Sequence, residues 1–71
     1  MNKISSKKLL NTKWTAVTPS SKERHFLITK LVFNEKDIVT HCLIEAVISN
    51  RTELINWREL KESKRWLQGW K

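Results

Sequence analysis

The sequence is poor in the residues that staple or punctuate a small protein. It has one cysteine, Cys42, so no internal disulfide can form, and two histidines with one cysteine fall short of a four-ligand structural zinc set. It has one glycine, Gly69, and one proline, Pro19, so most turns must use other chemistry. There is no tyrosine, and acidic residues number 7 against 14 lysines and arginines. No apolar run exceeds three residues, as in Leu31-Val32-Phe33, which is far too short to span a membrane. The first ten residues carry charge but lack the apolar h-region of a secretory signal. These absences point to a reduced, cytoplasmic protein whose core comes from apolar side chains alone or is completed by a second copy. The 71 residues form one expected domain (1–71), with 1–6 loosely ordered, near the lower size limit for folding without staples. A stability of about 3–5 kcal/mol is expected for a monomer of this size.

What the chain does hold is tryptophan and positive charge. Trp57, Trp66 and Trp70 fall within the last fifteen residues, and Trp14 is the fourth. The net charge of +7 is uneven: +6 over residues 1–30, −2 over 31–60 and +3 over the last eleven. A basic head and tail around an acidic middle favour polyanions, nucleic acid before anionic lipid, unless the lysines serve only solubility. Ile4, Leu9 and Leu10 offer too small an apolar face for lasting membrane attachment.

Ser5-Ser6 reads as the cap of a short helical turn through Lys7-Lys8-Leu9-Leu10. Lys13 to Val17 is β-prone and runs into a loop at Thr18-Pro19-Ser20-Ser21-Lys22. His25 to Phe33 is rich in β-branched and aromatic residues, and Asn34 to Asp37 fits a hairpin loop. Ile38 to Ser49 reads as a long central strand with Cys42, Ile44, Ala46 and Ile48 on one face. Asn50-Arg51 is the next turn, Thr52 to Trp57 a fourth strand, and Arg58 to Glu62 a helical or 3-10 turn. Ser63 then resembles an N-cap, with Trp66, Leu67 and Trp70 at helical spacing and Gly69 near the stop. The expected fold is mainly β: a small four-stranded antiparallel meander, partly closed as an SH3-like barrel, with short helical turns at both ends. An open sheet with a C-terminal helix across one face is the rival architecture. The expected core is Trp14, Ile28, Ile44, Ala46, Ile48, Ile55 and Trp57.

The segments Lys7-Lys8-Leu9-Leu10, Lys13-Trp14-Thr15-Ala16-Val17-Thr18-Pro19 and His25-Phe26 carry a family resemblance. Glu45-Ala46-Val47, Trp57-Arg58-Glu59-Leu60-Lys61 and Trp66-Leu67-Gln68-Gly69-Trp70 complete it. Together they resemble a family of very small Trp-rich bacterial proteins defined by four tryptophans, over about Lys7 to Lys71. The function of that family is uncharacterised. The resemblance implies a bacterial, cytoplasmic protein and brings no catalytic or binding residues with it.

Trp66 and Trp70 lie among Lys64, Arg65 and Lys71, and aromatics interleaved with cations suit sequence-tolerant binding of single strands. The alternative is that these indoles fasten the C-terminal segment to the sheet, as Trp14 and Trp57 are expected to do from their strands. Lys3, Lys7, Lys8 and Lys13 read either as a phosphate-tracking edge or as a solvated terminus, with Lys22, Arg24 and Lys30 able to extend the same surface. The candidate nucleic-acid-binding set is thus Lys7, Lys8, Lys13, Lys64, Arg65, Trp66, Trp70 and Lys71. A protein-interaction module or homodimer, docking through a sheet edge or the Trp66/Trp70 patch, is the second expectation.

His25 and His41 could meet across paired strands, but the ligands are too few and His41 and Cys42 point to opposite faces. An apolar face leaves Cys42 an inert thiol. Glu45 reads as a partner of Arg51 or Arg58 or as a marker of the solvent side, and Arg58-Glu59 as an ion pair beside Trp57. No paired carboxylates, Ser-His pair or Gly-rich phosphate loop stand in workable spacing, so no enzyme activity, metal, cofactor or small-molecule substrate is expected.

Overall fold

A computed structural model describes residue 2, residues 4–20 and residues 22–71. Expectations that rest on Met1, Lys3 and Ser21 (the first and third of the residues 1–6 expected to be loosely ordered, Lys3 in the basic edge, Ser21 in the first loop) lie outside the described residues. The chain is mainly β, with strands β1 (Lys13–Ser20), β2 (Glu23–Phe33), β3 (Val39–Ala46), β4 (Thr52–Asn56) and β5 (Trp66–Gln68). Two 3-10 turns, Ser6–Lys8 and Trp57–Lys61, are the helical elements among the described residues. The five strands form one antiparallel sheet in the order β4-β3-β2-β1-β5.

The expected four-stranded, SH3-like partly closed barrel is therefore corrected to an open five-stranded sheet. The C-terminal segment, expected as a helix, runs beside β1 with Trp66 opposite Ala16, Leu67 opposite Thr15 and Gln68 opposite Trp14. A helix from Ser63 to its expected stop at Gly69 is too short to be more than marginal in isolation, whereas the free edge of β1 supplies backbone partners. β5 and β4 remain as the two edges, so nothing closes the sheet.

Scarcity of glycine shows in the turns. Asn11 (φ 66°), Asp37 (φ 59°) and Asn50 (φ 58°) take the left-handed conformation that Asn and Asp tolerate best, and Lys22 (φ 64°) does the same in the β1–β2 turn. The Asn34 side chain accepts from the backbone N–H groups of Lys36 and Ile38, closing the β2–β3 hairpin. The first loop is shorter than expected because β1 continues through Pro19. The β1–β2 register shifts between Thr15 and Ser20, where a missing N–H is tolerated. At the second 3-10 turn, Asn56 accepts from Arg58 N–H and Glu59 accepts from Asn56 N–H, a capping box. Ser5, expected as a cap, precedes the first 3-10 turn but makes no side-chain cap bond.

One face of the sheet carries the core. Leu9, Trp14, Phe26, Ile28, Cys42, Ile44, Ala46 and Leu60 are all buried there, with Ile55, Trp57 and Trp66 packed against them half-buried. Leu9 and Leu60 come from the 3-10 regions, which roof this face. Asn2 ties the roof down: its side chain donates to the carbonyls of Leu60 and Trp66, and its N–H to that of Lys61. Ile48, expected in the core, is a correction: it is 70% exposed. β3 ends at Ala46, whose carbonyl accepts from Asn50 N–H to make a turn, so the alternation that placed Ile48 inward has already stopped.

By alternation the other face carries Lys13 opposite Leu27, Leu27 opposite Glu45, and Leu43 opposite Leu54. The Cα trace is 16 Å across its shortest dimension, enough for the sheet and its one partial roof. Among the described residues no helix is long and apolar enough to cross a membrane.

Candidate nucleic-acid interface

Trp70 lies on the second face, against His25 and Lys13, and its place is built by the backbone that leads to it. Gly69 takes φ 83°, a conformation that favours glycine, and its N–H donates to the Lys13 carbonyl at 2.8 Å. The Thr15 hydroxyl, 1% exposed, donates to the Gly69 carbonyl at 2.7 Å and accepts from Lys71 N–H at 2.9 Å. The chain after β5 is thereby folded back across β1. The Trp70 indole N–H then donates to the Phe26 carbonyl at 2.9 Å, fixing the ring against β2.

One ammonium and one imidazole lie against this ring. Lys13 Nζ stands 4.7 Å from its centroid, and the His25 ring lies 5.8 Å away at 31°. His25 Nε2 is 3.0 Å from the Lys71 main-chain oxygen. The indole stays 43% exposed. An oriented, part-exposed ring beside Lys13, His25 and Lys71 can stack a planar group and hold an anion next to it.

The eight candidate binding residues do not converge on one patch. Lys13, Trp70 and Lys71 come together here. Lys7 and Lys8 are exposed on the first 3-10 turn, where Lys8 borders a groove that Lys13 also lines. Trp66 faces the core side, edge-on to Phe26 at 5.2 Å, so it and Trp70 lie on opposite faces of the sheet. Arg65 is held 3.5 Å from both Glu59 and Glu62, which offsets its charge, and Lys64 is exposed in the turn before β5. Of the expected core residues, Trp14, Ile28, Ile44 and Ala46 are buried, while Ile55 and Trp57 are half-buried. Trp57 sits beneath Lys61 Nζ at 4.9 Å and the Arg58 guanidinium at 5.9 Å.

Thr15, His25 and Gly69 position or contact Trp70, and sequence reasoning missed that role. The usable signal was Gly69 immediately before an aromatic residue. The Thr15–His25 pairing needs a register that the sequence does not display. His25 and His41 do not meet across paired strands: His41 pairs with Val32, while His25 lies beside Val47. Arg51 is bound not by Glu45 but by Glu23, whose carboxylate accepts from Arg51 Nη2 at 2.7 Å and also from Ser49. Those bonds, Arg51 first, hold Glu23 below the usual carboxylate range. The Cys42 thiol is pushed up to about 11, by burial foremost and by the charge of Glu59.

A second hollow, of about 200 Å³, is lined on the core side by Phe26, Ile44, Ile55 and Trp66, with Arg51 and Arg65 among its charged residues. Both arginines are already paired with carboxylates. No group of three or more His, Cys, Asp or Glu side chains placed to hold a metal occurs among the described residues.

Among protein families, the model described as Tryptophan-rich protein (DUF2389) matches residues 12–71. Comparison with curated proteins gives no match, nor does comparison with solved structures.

Proposed function

The chain belongs to this tryptophan-rich family, whose function is unknown, and we propose that it binds single-stranded nucleic acid, RNA first, weakly and with little sequence preference. The observation that carries the reading is Trp70: an indole held by its own N–H bond, 43% exposed and bracketed by Lys13 and His25. A base stacks on that ring and its phosphates meet Lys13, Lys71 and Lys8, with Lys7 and Lys64 contributing at longer range. Trp66 is left out of the contact set because it lies on the core face, and Arg65 because two carboxylates already offset its charge. Three to five phosphate contacts on a single strand give a slope of log K against log salt of roughly −2 to −3.5. In this reading the protein is a non-enzymatic, cytoplasmic bacterial binding module that needs no cofactor.

The test is fluorescence anisotropy of labelled poly(U), at low and then high salt, with Trp70→Ala compared against the parent. Loss of one stacked base costs ~1–3 kcal/mol. A variant that keeps its far-UV circular dichroism and binds as tightly as the parent removes the stacking role.

A second reading, docking of a protein partner or a second copy, is favoured by Leu54. It is 57% exposed on edge strand β4 beside the half-buried Leu43. Such an apolar edge responds little to salt, so the same titration separates the two readings.

A further inference from the structure

Lys13 borders two features at once. Its ammonium lies over Trp70, and its chain forms part of a groove of about 370 Å³ between the first 3-10 turn and β1. Ile4, Leu9 and Trp14 make the walls of that groove, and Lys8 and Lys13 are its charged residues, with no carboxylate among those that line it. The volume is at the small end for ligand sites, room for one nucleotide-sized group. Gly69, the residue that delivers Trp70, also borders the groove, and a Cβ there would meet nothing within 4 Å. Leu9 and Trp14 belong to the core face and Trp70 to the other, so Lys13 and Gly69, at the start of β1, are where the groove and the indole adjoin.

We propose that this groove takes the nucleotide adjoining the one stacked on Trp70, so that the protein's unit of recognition is a dinucleotide step. One base lies on the indole. The phosphodiester lies at Lys13, the cation shared by both features. The second base enters against Ile4 and Leu9, and its outer phosphate faces Lys8. Trp14 is 1% exposed and serves as a wall, not as a stacking surface. The inference rests on the Trp70 reading and adds to it a length.

The test is a ¹H–¹⁵N NMR titration of the full chain at low salt with inorganic phosphate, then UMP, then UpU. The expected result is that UpU moves the Trp70 indole signal together with the amides of Leu9, Thr12 and Gly69, and binds about tenfold tighter than UMP. Ser5 is exposed at the groove mouth, so Ser5→Phe is expected to fold, to fill the mouth and to bring UpU down to the affinity of UMP. Should that variant fail to fold, Lys8→Gln, on an exposed side chain, is tested with pUpUp, which carries the outer phosphate that UpU lacks. It is expected to weaken pUpUp about threefold by loss of one phosphate contact while leaving UpU unchanged. Equal binding of pUpUp by variant and parent overturns the placement at Lys8. UpU shifts confined to Trp70, His25 and Lys13, with no gain over UMP, overturn the groove and leave the Trp70 platform standing. Groove shifts produced equally by phosphate alone overturn it as a nucleotide site. No shift with any of the three overturns both readings.

Discussion

Replacing Thr15 by valine isolates the device that places Trp70. The side chain is 1% exposed, and its hydroxyl makes two bonds to the C-terminal turn: one donated to the Gly69 carbonyl at 2.7 Å and one accepted from Lys71 N–H at 2.9 Å. Valine keeps the branched shape and the preference for strand, so packing opposite His25 and Leu67 is preserved while both bonds are lost. Each neutral hydrogen bond contributes about 0.5–1.5 kcal/mol net, which gives about 1–3 kcal/mol for the pair. Lys71 is exposed and Gly69 half-buried, so water re-satisfies part of the loss and the expected cost is about 1–1.5 kcal/mol. With a urea slope near 1 kcal/mol/M, at the low end for so small a chain, the unfolding midpoint falls by roughly 1 M. Exchange of the Trp70 indole N–H supplies the second readout, because its bond to the Phe26 carbonyl depends on the turn staying folded back. Thr15→Ser, which keeps the hydroxyl, is expected to retain most of the protection. A valine variant with an unchanged midpoint and a still-protected indole would refute the claim that Thr15 holds the platform in place.

Two further outcomes follow from the buried thiol and the buried carboxylate. Cys42, 0% exposed and with its thiol pushed up to about 11, is expected to resist an aromatic disulfide reagent at pH 8 until urea unfolds the chain. Absorbance showing rapid labelling of the folded protein would contradict its placement. Glu23 has a folded pKa below its unfolded one, so its contribution to stability is present above the unfolded value and lost as pH falls through the folded value. Glu23→Gln is accordingly expected to melt below the parent at neutral pH and to converge with it in acid, and parallel curves over the whole range would count against the Arg51–Glu23 pair.

The β2–β3 hairpin was readable in advance because its signals are local: β-branched runs on either side of Asn34-Glu35-Lys36-Asp37, a segment whose own side chain closes the turn. The family was readable too, from short blocks that surround the four tryptophans. The C-terminal segment was not, because Trp66, Leu67 and Trp70 satisfy helical spacing as well as they satisfy a strand followed by a reversal. What decides between them is the unpaired edge of β1, a tertiary fact absent from the segment itself. The same ambiguity grouped Trp66 with Trp70 as one candidate patch, when strand pairing and the Gly69 turn send them to opposite faces. Ile48 failed for a different reason. Alternation continues in the sequence past Ala46, but hydrogen bonding does not, and the turn at Val47–Asn50 carries the isoleucine into water.

The distribution of the indoles bears on function. A chain of 71 residues has little apolar surface to spare, and burying an aromatic ring is among its strongest sources of stability. Trp14 is used in that way, at 1% exposed, and Trp57 and Trp66 pack half-buried against the same cluster. Trp70 departs from the pattern. It is 43% exposed, yet it is held by a donated hydrogen bond, by a buried threonine on β1, and by the turn at Gly69. Packing alone would be served as well by an aliphatic side chain at this position, with no need to orient a ring plane. A flat, oriented, cation-flanked surface is what a planar ligand requires, and Trp70→Leu therefore separates the two demands. It is expected to keep most of the stability while losing the bound strand.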